Sequence, residues 1–263
     1  MSDASKWSDL LTRLGSAALM VVVGFIGIWF GGHLFHVLVA VVCGLMIWEL
    51  VRMIAPRNAP RALQLGVLGG CAVFLSSYVP TMIVWPIFAA VALVGYGYLN
   101  RYKGIYVASS ILILLASFNM VLLRDSWGFG WLLWLIAVVV ITDVLGYFAG
   151  RLIGGPKFWP AVSPKKTWSG TVFGWLGGAL VGLGFAWGTG LTLELVLISI
   201  LISMASQMGD VAESAIKRKM NVKDSSNLIP GHGGLLDRFD GMLGASVFLF
   251  ILAQFISLPF GLT

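Results

Sequence analysis

The sequence has few charged residues and few cysteines, and both shortages limit what the protein can be. Charged residues make up 11% of its 263 positions, whereas soluble domains contain roughly 25%. A soluble globular domain is therefore excluded. The two cysteines, Cys43 and Cys71, lie within apolar stretches, so the sequence predicts packing roles for them and no disulfide framework.

Apolar residues are correspondingly abundant. They make up 59% of the chain, and the mean hydropathy is +0.94. A helix that crosses a bilayer needs about 20 mostly apolar residues. Nine runs are candidates, at residues 15–31, 33–53, 63–79, 81–99, 105–123, 128–149, 169–188, 191–209 and 241–260. The sequence therefore predicts an all-α, polytopic transmembrane helical bundle of about nine spans. The first run is short and almost joins the second across Gly31 and Gly32, so eight spans are the alternative.

The basic residues predict the orientation of this bundle. When the loops after spans two, four, six and eight are placed on one side, that side collects 14 of the 17 Lys and Arg residues. Positively charged loops stay in the cytoplasm, so we expect the two long polar loops there and the N-terminus outside. Residues 7–14 have apolar side chains at helical spacing, which predicts a short interfacial helix before the first span.

The acidic residues indicate where the chemistry lies. Six of the eleven fall within or beside the two cytoplasmic segments, namely Asp143, Asp210, Glu213, Asp224, Asp237 and Asp240. Asp143 is still inside an apolar helix, where an ionisable group is a functional hypothesis by default; an ion pair with a lysine of the next loop is the structural alternative. Glu49 and Glu194 lie near span ends, and we interpret them as solvated interfacial residues.

The segment after Asp143 has the composition of a phosphate-binding loop. Glycine-rich backbone at residues 150–157 is followed by Ser163, Lys165, Lys166 and Thr167, just before a helix start. Helix N-termini and ammonium groups both favour anions. The Walker A pattern is absent, and anchoring by positive-inside lysines is the alternative explanation.

Residues 209–241 form the strongest polar cluster. Asp210 ends one predicted span, and Asp237 and Asp240 begin another, so carboxylates from different helices can converge near the membrane surface. Carboxylate oxygens suit a hard divalent cation. The nearby bases suit phosphate oxygens, and they are Lys217, Arg218, Lys223 and Arg238. The alternative is a solvated loop whose acids and bases merely neutralise one another.

Two segments carry a family resemblance. The run from Ser214 to Asp240 contains Ser-x-Ile-Lys-Arg, Lys-Asp-x-Ser and Ile-Pro-x-His-Gly-Gly-Leu-x-Asp-Arg-Phe-Asp. It resembles the signature of the phosphatidate cytidylyltransferases, or CDP-diacylglycerol synthases. The segments 143–151 and 163–167 resemble that family's second motif, although many members have Ala where this chain has Gly146. The first hundred residues match only as hydrophobic spans.

The resemblance implies a specific activity. It implies transfer of CMP from CTP to phosphatidic acid, giving CDP-diacylglycerol and pyrophosphate in phospholipid biosynthesis. Mg²⁺ would be the cofactor, with a potassium-type ion as a second ion, and the metal ligands would be Asp210 and Asp237. A homodimer in the bacterial inner (plasma) membrane is implied, with catalytic loops facing the cytoplasm and no nucleic-acid partner.

The site residues divide into two sets. The predicted catalytic residues are Asp143, Asp210, Lys217, Arg218, Asp237 and Asp240. The predicted substrate-binding residues are Ser163, Lys165, Lys166, Thr167, Lys223, His232, Gly233 and Arg238. His232 could shuttle a proton, but a turn-stabilising or phosphate-contacting role is favoured because a phosphate nucleophile scarcely needs a base.

The predicted domain organisation follows from these positions. One membrane domain, residues 1–263, is the simplest partition, with spans within 15–123 as scaffold and residues 128–260 as the catalytic half. Glycines at positions 170, 174, 178 and 182 predict close helix packing and no chemistry. Two other functions stay open: a cytidylyltransferase for another lipid phosphate, of the CDP-archaeol type, and a transporter. A transporter predicts ionisable groups along a midplane pathway, whereas here the acids cluster at one face.

Overall fold

The architecture is described from a computed structural model, which covers residues 3–189 and 193–255, with only the backbone for residues 3–10 and 188–189. Nine α-helices occur in the described residues: α1 (Asp3–Phe30), α2 (Gly32–Ile54), α3 (Ala59–Ser76), α4 (Thr81–Tyr98), α5 (Lys103–Leu122), α6 (Phe129–Leu152), α7 (Trp168–Thr189), α8 (Leu193–Lys219) and α9 (Leu236–Leu252). A π-helical turn, Leu123–Trp127, follows α5, and two short strands, β1 (Lys157–Trp159) and β2 (Ser163–Thr167), lie between α6 and α7.

Eight of these helices are long and apolar enough to cross a membrane. The prediction of a polytopic helical bundle is therefore confirmed. The predicted ninth span corresponds to α9, which is helical from Leu236 to Leu252. Residues 256–260 of that predicted span, and residues 191–192 of the eighth, lie outside the described residues.

The beginning of the chain differs from the prediction. Residues 3–30 form one continuous helix, whose apolar part is Leu11–Phe30. The prediction of a separate interfacial helix is wrong, because the helix continues through Gly15 into the apolar run and no proline interrupts it. The predicted junction with the next span is confirmed: Gly31 and Gly32 have φ values of 63° and 52°, a left-handed conformation that glycine adopts without steric cost.

The predicted position of the N-terminus is also wrong. The Ser16 hydroxyl, near the start of the apolar part of α1, lies 3.0 Å from the Pro230 carbonyl oxygen and 2.9 Å from Nδ1 of His232. The first turns of the membrane-crossing part of α1 therefore lie beside the loop that precedes α9. The physical reason is that two crossings return the chain to its starting side, so the N-terminus and the loop after α2 share a side. Lys6 and Arg13 then join the basic side, and Arg124 alone is left opposite.

The chain forms two compact units. The first consists of Met1–Val121 with Met220–Arg238, and the second of Leu122–Lys219 with Phe239–Thr263. The loop after α8 thus belongs with the N-terminal helices, which its position in the sequence does not indicate. The organisation as a single domain with a scaffold half and a catalytic half stays a prediction.

Glycine contacts hold the helices of each unit together. In the first unit, a Cβ added at Gly66 of α3 would lie 2.7 Å from the Gly44 carbonyl oxygen of α2. In the second, a Cβ at Gly170 of α7 would lie 2.5 Å from the Gly146 carbonyl oxygen of α6, and one at Gly178 would lie 2.9 Å from that of Ser199 in α8. The packing role predicted for the α7 glycines is confirmed. The cysteines are both free; Cys43 is buried as predicted, but Cys71 is exposed.

A small hairpin precedes α7. Strands β1 and β2 pair antiparallel, with Lys157 opposite Thr167 and Trp159 opposite Ser163. The sequence analysis did not predict these strands, because Pro164 and two lysines in five residues are typical of a loop. The hairpin matters for the site because β2 carries both lysines.

Candidate active site

A polar cavity of about 530 Å³ lies within the second unit. Its walls come from α6, β2, α7 and α8, and they include Asp143, Tyr147, Arg151, Lys165, Lys166, Thr167, Gln207 and Asp210. Five of the predicted site residues therefore line one cavity: Asp143, Lys165, Lys166, Thr167 and Asp210. Residues up to 67 positions apart in sequence meet there, as the sequence analysis required.

The hairpin supplies two of the basic groups of this cavity, Lys165 and Lys166, and α6 supplies Arg151. Lys165 is exposed, whereas Lys166 is half-buried, with its Nζ 2.5 Å from Oδ2 of Asp210 and 3.4 Å from the Gln207 carbonyl oxygen. Alternation along a strand explains the difference, because successive side chains point to opposite faces. The cavity thus holds one ammonium group bound to an acid and one exposed to solvent.

Thr167 has a structural task. Its Oγ1 accepts a hydrogen bond from the N–H of Gly170 at 3.2 Å, and its side chain is buried. This is the pattern of a residue that caps a helix N-terminus, and it fixes the join between β2 and α7. Ser163 lies at the other end of β2 and does not line the cavity.

Asp143 and Asp210 face the cavity from α6 and α8. Asp210 accepts a hydrogen bond from the Ser214 hydroxyl at 3.3 Å, in addition to its ion pair with Lys166. Tyr147, one helical turn after Asp143, accepts a hydrogen bond from Arg151 at 2.9 Å. Tyr147, Arg151 and Gln207 also line the cavity, but they are not among the predicted site residues. Positions i, i+4 and i+8 on α6 share one helix face, which is the signal that could have found Tyr147 and Arg151.

Asp240 interacts electrostatically with these acids. It lies outside the eight candidate spans, and burial together with the Asp210 carboxylate raises its pKa to about 7. The Lys217 ammonium lowers the pKa of Asp240, and the Asp143 carboxylate raises it by a smaller amount than Asp210 does. Like charges in a partly buried site disfavour ionisation of one another. A cation among these carboxylates would offset that repulsion.

Lys217 and Arg218 do not line the cavity. Lys217 forms an ion pair with Glu213 on the preceding turn of α8, and both side chains are buried. Arg218 is exposed. A buried pair of this kind leaves an uncompensated charge when one partner is removed, so Lys217 has a structural function whether or not it contacts substrate.

The remaining predicted residues lie in the loop of the first unit or in the first turn of α9. Asp237 accepts the N–H of Ser225 on both carboxylate oxygens, at 3.1 and 2.9 Å, and the N–H of Gly234 at 2.8 Å. Gly233 has φ +82°, and a Cβ there would lie 3.0 Å from Oδ2 of Asp237. From the first turn of α9, Asp237 therefore organises the loop that precedes it.

The other predicted residues of this loop differ in exposure. Lys223 and Arg238 are exposed, whereas His232 is partly buried against Ser16. The contact with Ser16 agrees with the turn-stabilising role of His232. No structural contact tests phosphate binding by Lys223 or Arg238, and both stay predictions.

Glu49 is the residue that the sequence analysis misinterpreted. Its side chain is 0% exposed, so the interpretation as a solvated interfacial group is wrong. It accepts hydrogen bonds from the hydroxyls of Ser225 and Ser226 and from the N–H groups of Leu235 and Leu236. The signal was present: Glu49 lies inside the predicted span 33–53, where a carboxylate must have specific partners.

The proposed metal ligands fall in different units, Asp210 in the second and Asp237 in the first. Their pairing stays a prediction. Within residues 3–189 and 193–255, no group of three or more His, Cys, Asp or Glu side chains is placed to hold a metal ion. Mg²⁺ generally binds one or two carboxylates together with substrate phosphates, so the donor chemistry of single aspartates still fits it.

Comparison with known proteins identifies the family. The family model described as the cytidylyltransferase family matches residues 11–256. The chain belongs to the cytidylyltransferase family. The match extends through the N-terminal spans, which the sequence analysis could assign only as hydrophobic, and the resemblance noted on the two polar segments is confirmed.

Individual members of the cytidylyltransferase family show the same relationship. The chain is 40% identical over 154 residues to a phosphatidate cytidylyltransferase of Brucella abortus, covering 55% of each protein. It is 39% identical over 140 residues to that of Bacillus subtilis, covering 51% of each, and 40% identical over 129 residues to that of Helicobacter pylori, covering 48% of each. The chain spans about half the length of the curated relatives it matches.

Proposed function

We propose that this protein transfers the cytidylyl group of CTP to phosphatidic acid, giving CDP-diacylglycerol and pyrophosphate. An oxygen of the lipid phosphate forms a bond to the α-phosphorus of CTP. The bond from that phosphorus to the bridging oxygen breaks, and pyrophosphate leaves with the electron pair. The observation that carries the proposal is the polar cavity, in which acids and bases of the family motifs face one another.

The cavity suits this chemistry in size and charge. Its volume of about 530 Å³ is within the range of small-molecule sites, roughly 300–1,000 Å³. Both substrates are polyanions, so their mutual repulsion must be offset before they can react. The ammonium groups of Lys165 and Lys166 and the guanidinium of Arg151 supply positive charge on the cavity wall. In phosphoryl-type transfers, positioning and electrostatic stabilisation supply most of the catalysis.

Lys166 and Asp210 have a second role in the proposal. Their ion pair holds the lysine at a fixed position before substrate arrives. When a phosphate binds, its oxygens compete with the Asp210 carboxylate for the Lys166 ammonium, which releases that carboxylate toward a cation. Substrate and cation would thus be bound together.

Mg²⁺ is the proposed cofactor, and Asp210 and Asp237 would hold it. Bound there, it would neutralise charge on the phosphate oxygens. The repulsion that raises the pKa of Asp240 favours a cation beside Asp210. A potassium-type second ion belongs to the proposal without an assigned ligand.

The cellular setting completes the proposal. The positive-inside rule assigns the basic side to the cytoplasm, so the cavity would receive CTP from there and phosphatidic acid from the inner leaflet. The proposed location is the bacterial inner membrane, and the proposed assembly is a homodimer.

An assay with purified protein tests the reaction. Labelled CTP and phosphatidic acid are incubated with the protein in detergent, with Mg²⁺ or with a chelator. We expect CDP-lipid and pyrophosphate in equal amounts, formed only with Mg²⁺. Parallel reactions replace CTP by other nucleoside triphosphates and phosphatidic acid by an archaeal ether-linked lipid phosphate. A faster reaction with another pair would assign the alternative substrate, and no product with any pair would contradict the proposal.

A further inference from the structure

The Glu49 carboxylate joins α2 of the first unit to the loop between α8 and α9. Glu49 lies in α2 and is fully buried. Its Oε1 accepts the Ser226 hydroxyl at 2.6 Å and the Leu235 N–H at 2.8 Å. Its Oε2 accepts the Leu236 N–H at 2.6 Å and the Ser225 hydroxyl at 3.3 Å. Each oxygen thus accepts one backbone N–H and one hydroxyl group.

Two of these donors belong to the start of α9. The first N–H groups of a helix have no partner within the helix, and negative charge is favourable near them. The N–H of Gly234 donates to Asp237, while those of Leu235 and Leu236 donate to Glu49. Three consecutive N–H groups are therefore shared between two carboxylates, one of which is the predicted metal ligand.

The loop closes tightly around this arrangement. A Cβ added at Gly234 would lie 1.9 Å from Oγ of Ser225 and 2.8 Å from Oε1 of Glu49. Only glycine allows the backbone to approach the carboxylate this closely. The conformation of the loop is thus built around the Glu49 side chain.

We propose that Glu49 is a positioning residue for the reaction: it fixes residues 225–236 and, through them, the carboxylate of Asp237. Because Glu49 is buried, it acts through the loop and does not touch substrate. The consequence for catalysis rests on the proposed function, in which Asp237 binds the cation. The contact itself is independent of that function.

The conservative variant Glu49→Gln tests the contact separately from its consequence for catalysis. An amide has one accepting oxygen and one NH₂ group, so in either orientation the NH₂ faces a backbone N–H that cannot reverse its role. A hydrogen bond to a charged acceptor changes the equilibrium constant between its formed and broken states by roughly 10- to 100-fold. We therefore expect amide exchange at Leu235 and Leu236 to accelerate by about 10- to 100-fold, measured by residue-resolved hydrogen exchange in detergent.

The catalytic readout is the dependence of turnover on Mg²⁺. In Glu49→Gln, we expect a lower kcat and a higher Mg²⁺ concentration for half-maximal rate, which a mere loss of folded protein would not produce. Glu194→Gln is the matched control, because Glu194 is an exposed glutamate in the first turn of α8. We expect it to leave exchange and Mg²⁺ dependence unchanged.

Each contrary result has a distinct meaning. Unchanged exchange at Leu235 and Leu236 would overturn the proposed contact. Faster exchange with unchanged kcat and Mg²⁺ dependence would overturn the positioning role. If the wild-type protein does not use CTP, the proposed function fails while the exchange result still tests the contact. Should Glu49→Gln not fold, Glu49→Asp keeps the charge but shortens the side chain by one methylene, so faster exchange at Leu235 and Leu236 is expected; unchanged exchange there would overturn the contact.

Discussion

At the scale of single residues, the two lysines of β2 have different environments. Lys166 forms an ion pair with Asp210, whereas Lys165 is exposed on the cavity wall. An exposed ammonium group that lines a cavity is available for a phosphate. Lys165 is therefore the cleaner test of substrate binding, because removing it breaks no ion pair with Asp210.

We expect Lys165→Ala to raise the KM for CTP or for phosphatidic acid by roughly 10- to 100-fold, the value of one charge-assisted hydrogen bond. The measurement is steady-state kinetics with each substrate varied in turn. Lys157→Ala is the matched control, since Lys157 is an exposed lysine of the same hairpin that does not line the cavity. Unchanged KM values for both substrates in Lys165→Ala would contradict the role assigned to it.

The buried and cavity-lining acids show how much of the site the sequence predicts. Asp143 and Asp210 were predicted because a carboxylate in or beside an apolar run is costly, and the structure places both in the cavity. The same cost applies to Glu49, but its position near a span end indicates water as a simpler partner. The partners of Glu49 lie more than 170 positions away in sequence, and no local pattern reveals them.

At the scale of elements, glycine contacts determine how α7 packs in the second unit. Gly178 is buried against α8, and a Cβ there would lie 2.9 Å from the Ser199 carbonyl oxygen, an atom of the backbone. Gly184, on the same helix, has no atom within 4 Å of its added Cβ. The two positions differ in packing but share a helix and a residue type.

We expect Gly178→Ala to destabilise the protein by about 1–3 kcal/mol, the usual cost of overpacking. Gly184→Ala should be neutral or stabilising by up to about 1 kcal/mol, because alanine favours the helix. Thermal unfolding in detergent measures both. Equal Tm values for the two variants would contradict the proposed packing of α7 against α8.

The membrane-crossing helices were predictable from the sequence, whereas the β1–β2 hairpin and the full length of α1 were not. Long apolar runs specify membrane helices by length alone, so eight of the nine predicted runs correspond to the eight candidate spans, although α8 continues past its predicted end at residue 209 to Lys219. The β1–β2 hairpin was missed because its stability depends on contacts with neighbouring residues, such as the Phe158–Trp168 ring pair, whose centroids are 4.9 Å apart. The continuation of α1 toward the N-terminus was missed because a polar helix start resembles a separate interfacial segment.

At the scale of the whole molecule, the orientation of the chain determines which substrates reach the cavity. With the N-terminus on the same side as the loop after α2, Arg124 is the one Lys or Arg of the sequence that this topology assigns to the side opposite the polar loops. Arg101 precedes α5, Ser126 lies in the π-helical turn that follows α5, and both are exposed. They are therefore suited to test the two sides of one crossing.

In a variant that lacks Cys43 and Cys71, we expect Ser126→Cys to react with a membrane-impermeant thiol reagent in intact bacterial cells. Arg101→Cys should react only after the membrane is made permeable. Labelling in the reverse order would contradict the cytoplasmic orientation.

The central claim is that the polar cavity performs the transfer, and one comparison tests it most directly. Turnover of CTP and phosphatidic acid is measured for Asp210→Asn and for Asp125→Asn, an acid in the π-helical turn that does not line the cavity. We expect the folded Asp210→Asn variant to lose at least about 100-fold in kcat, the scale of one lost catalytic electrostatic contact, and Asp125→Asn to match the wild type. A folded Asp210→Asn variant with near-normal kcat would contradict the account.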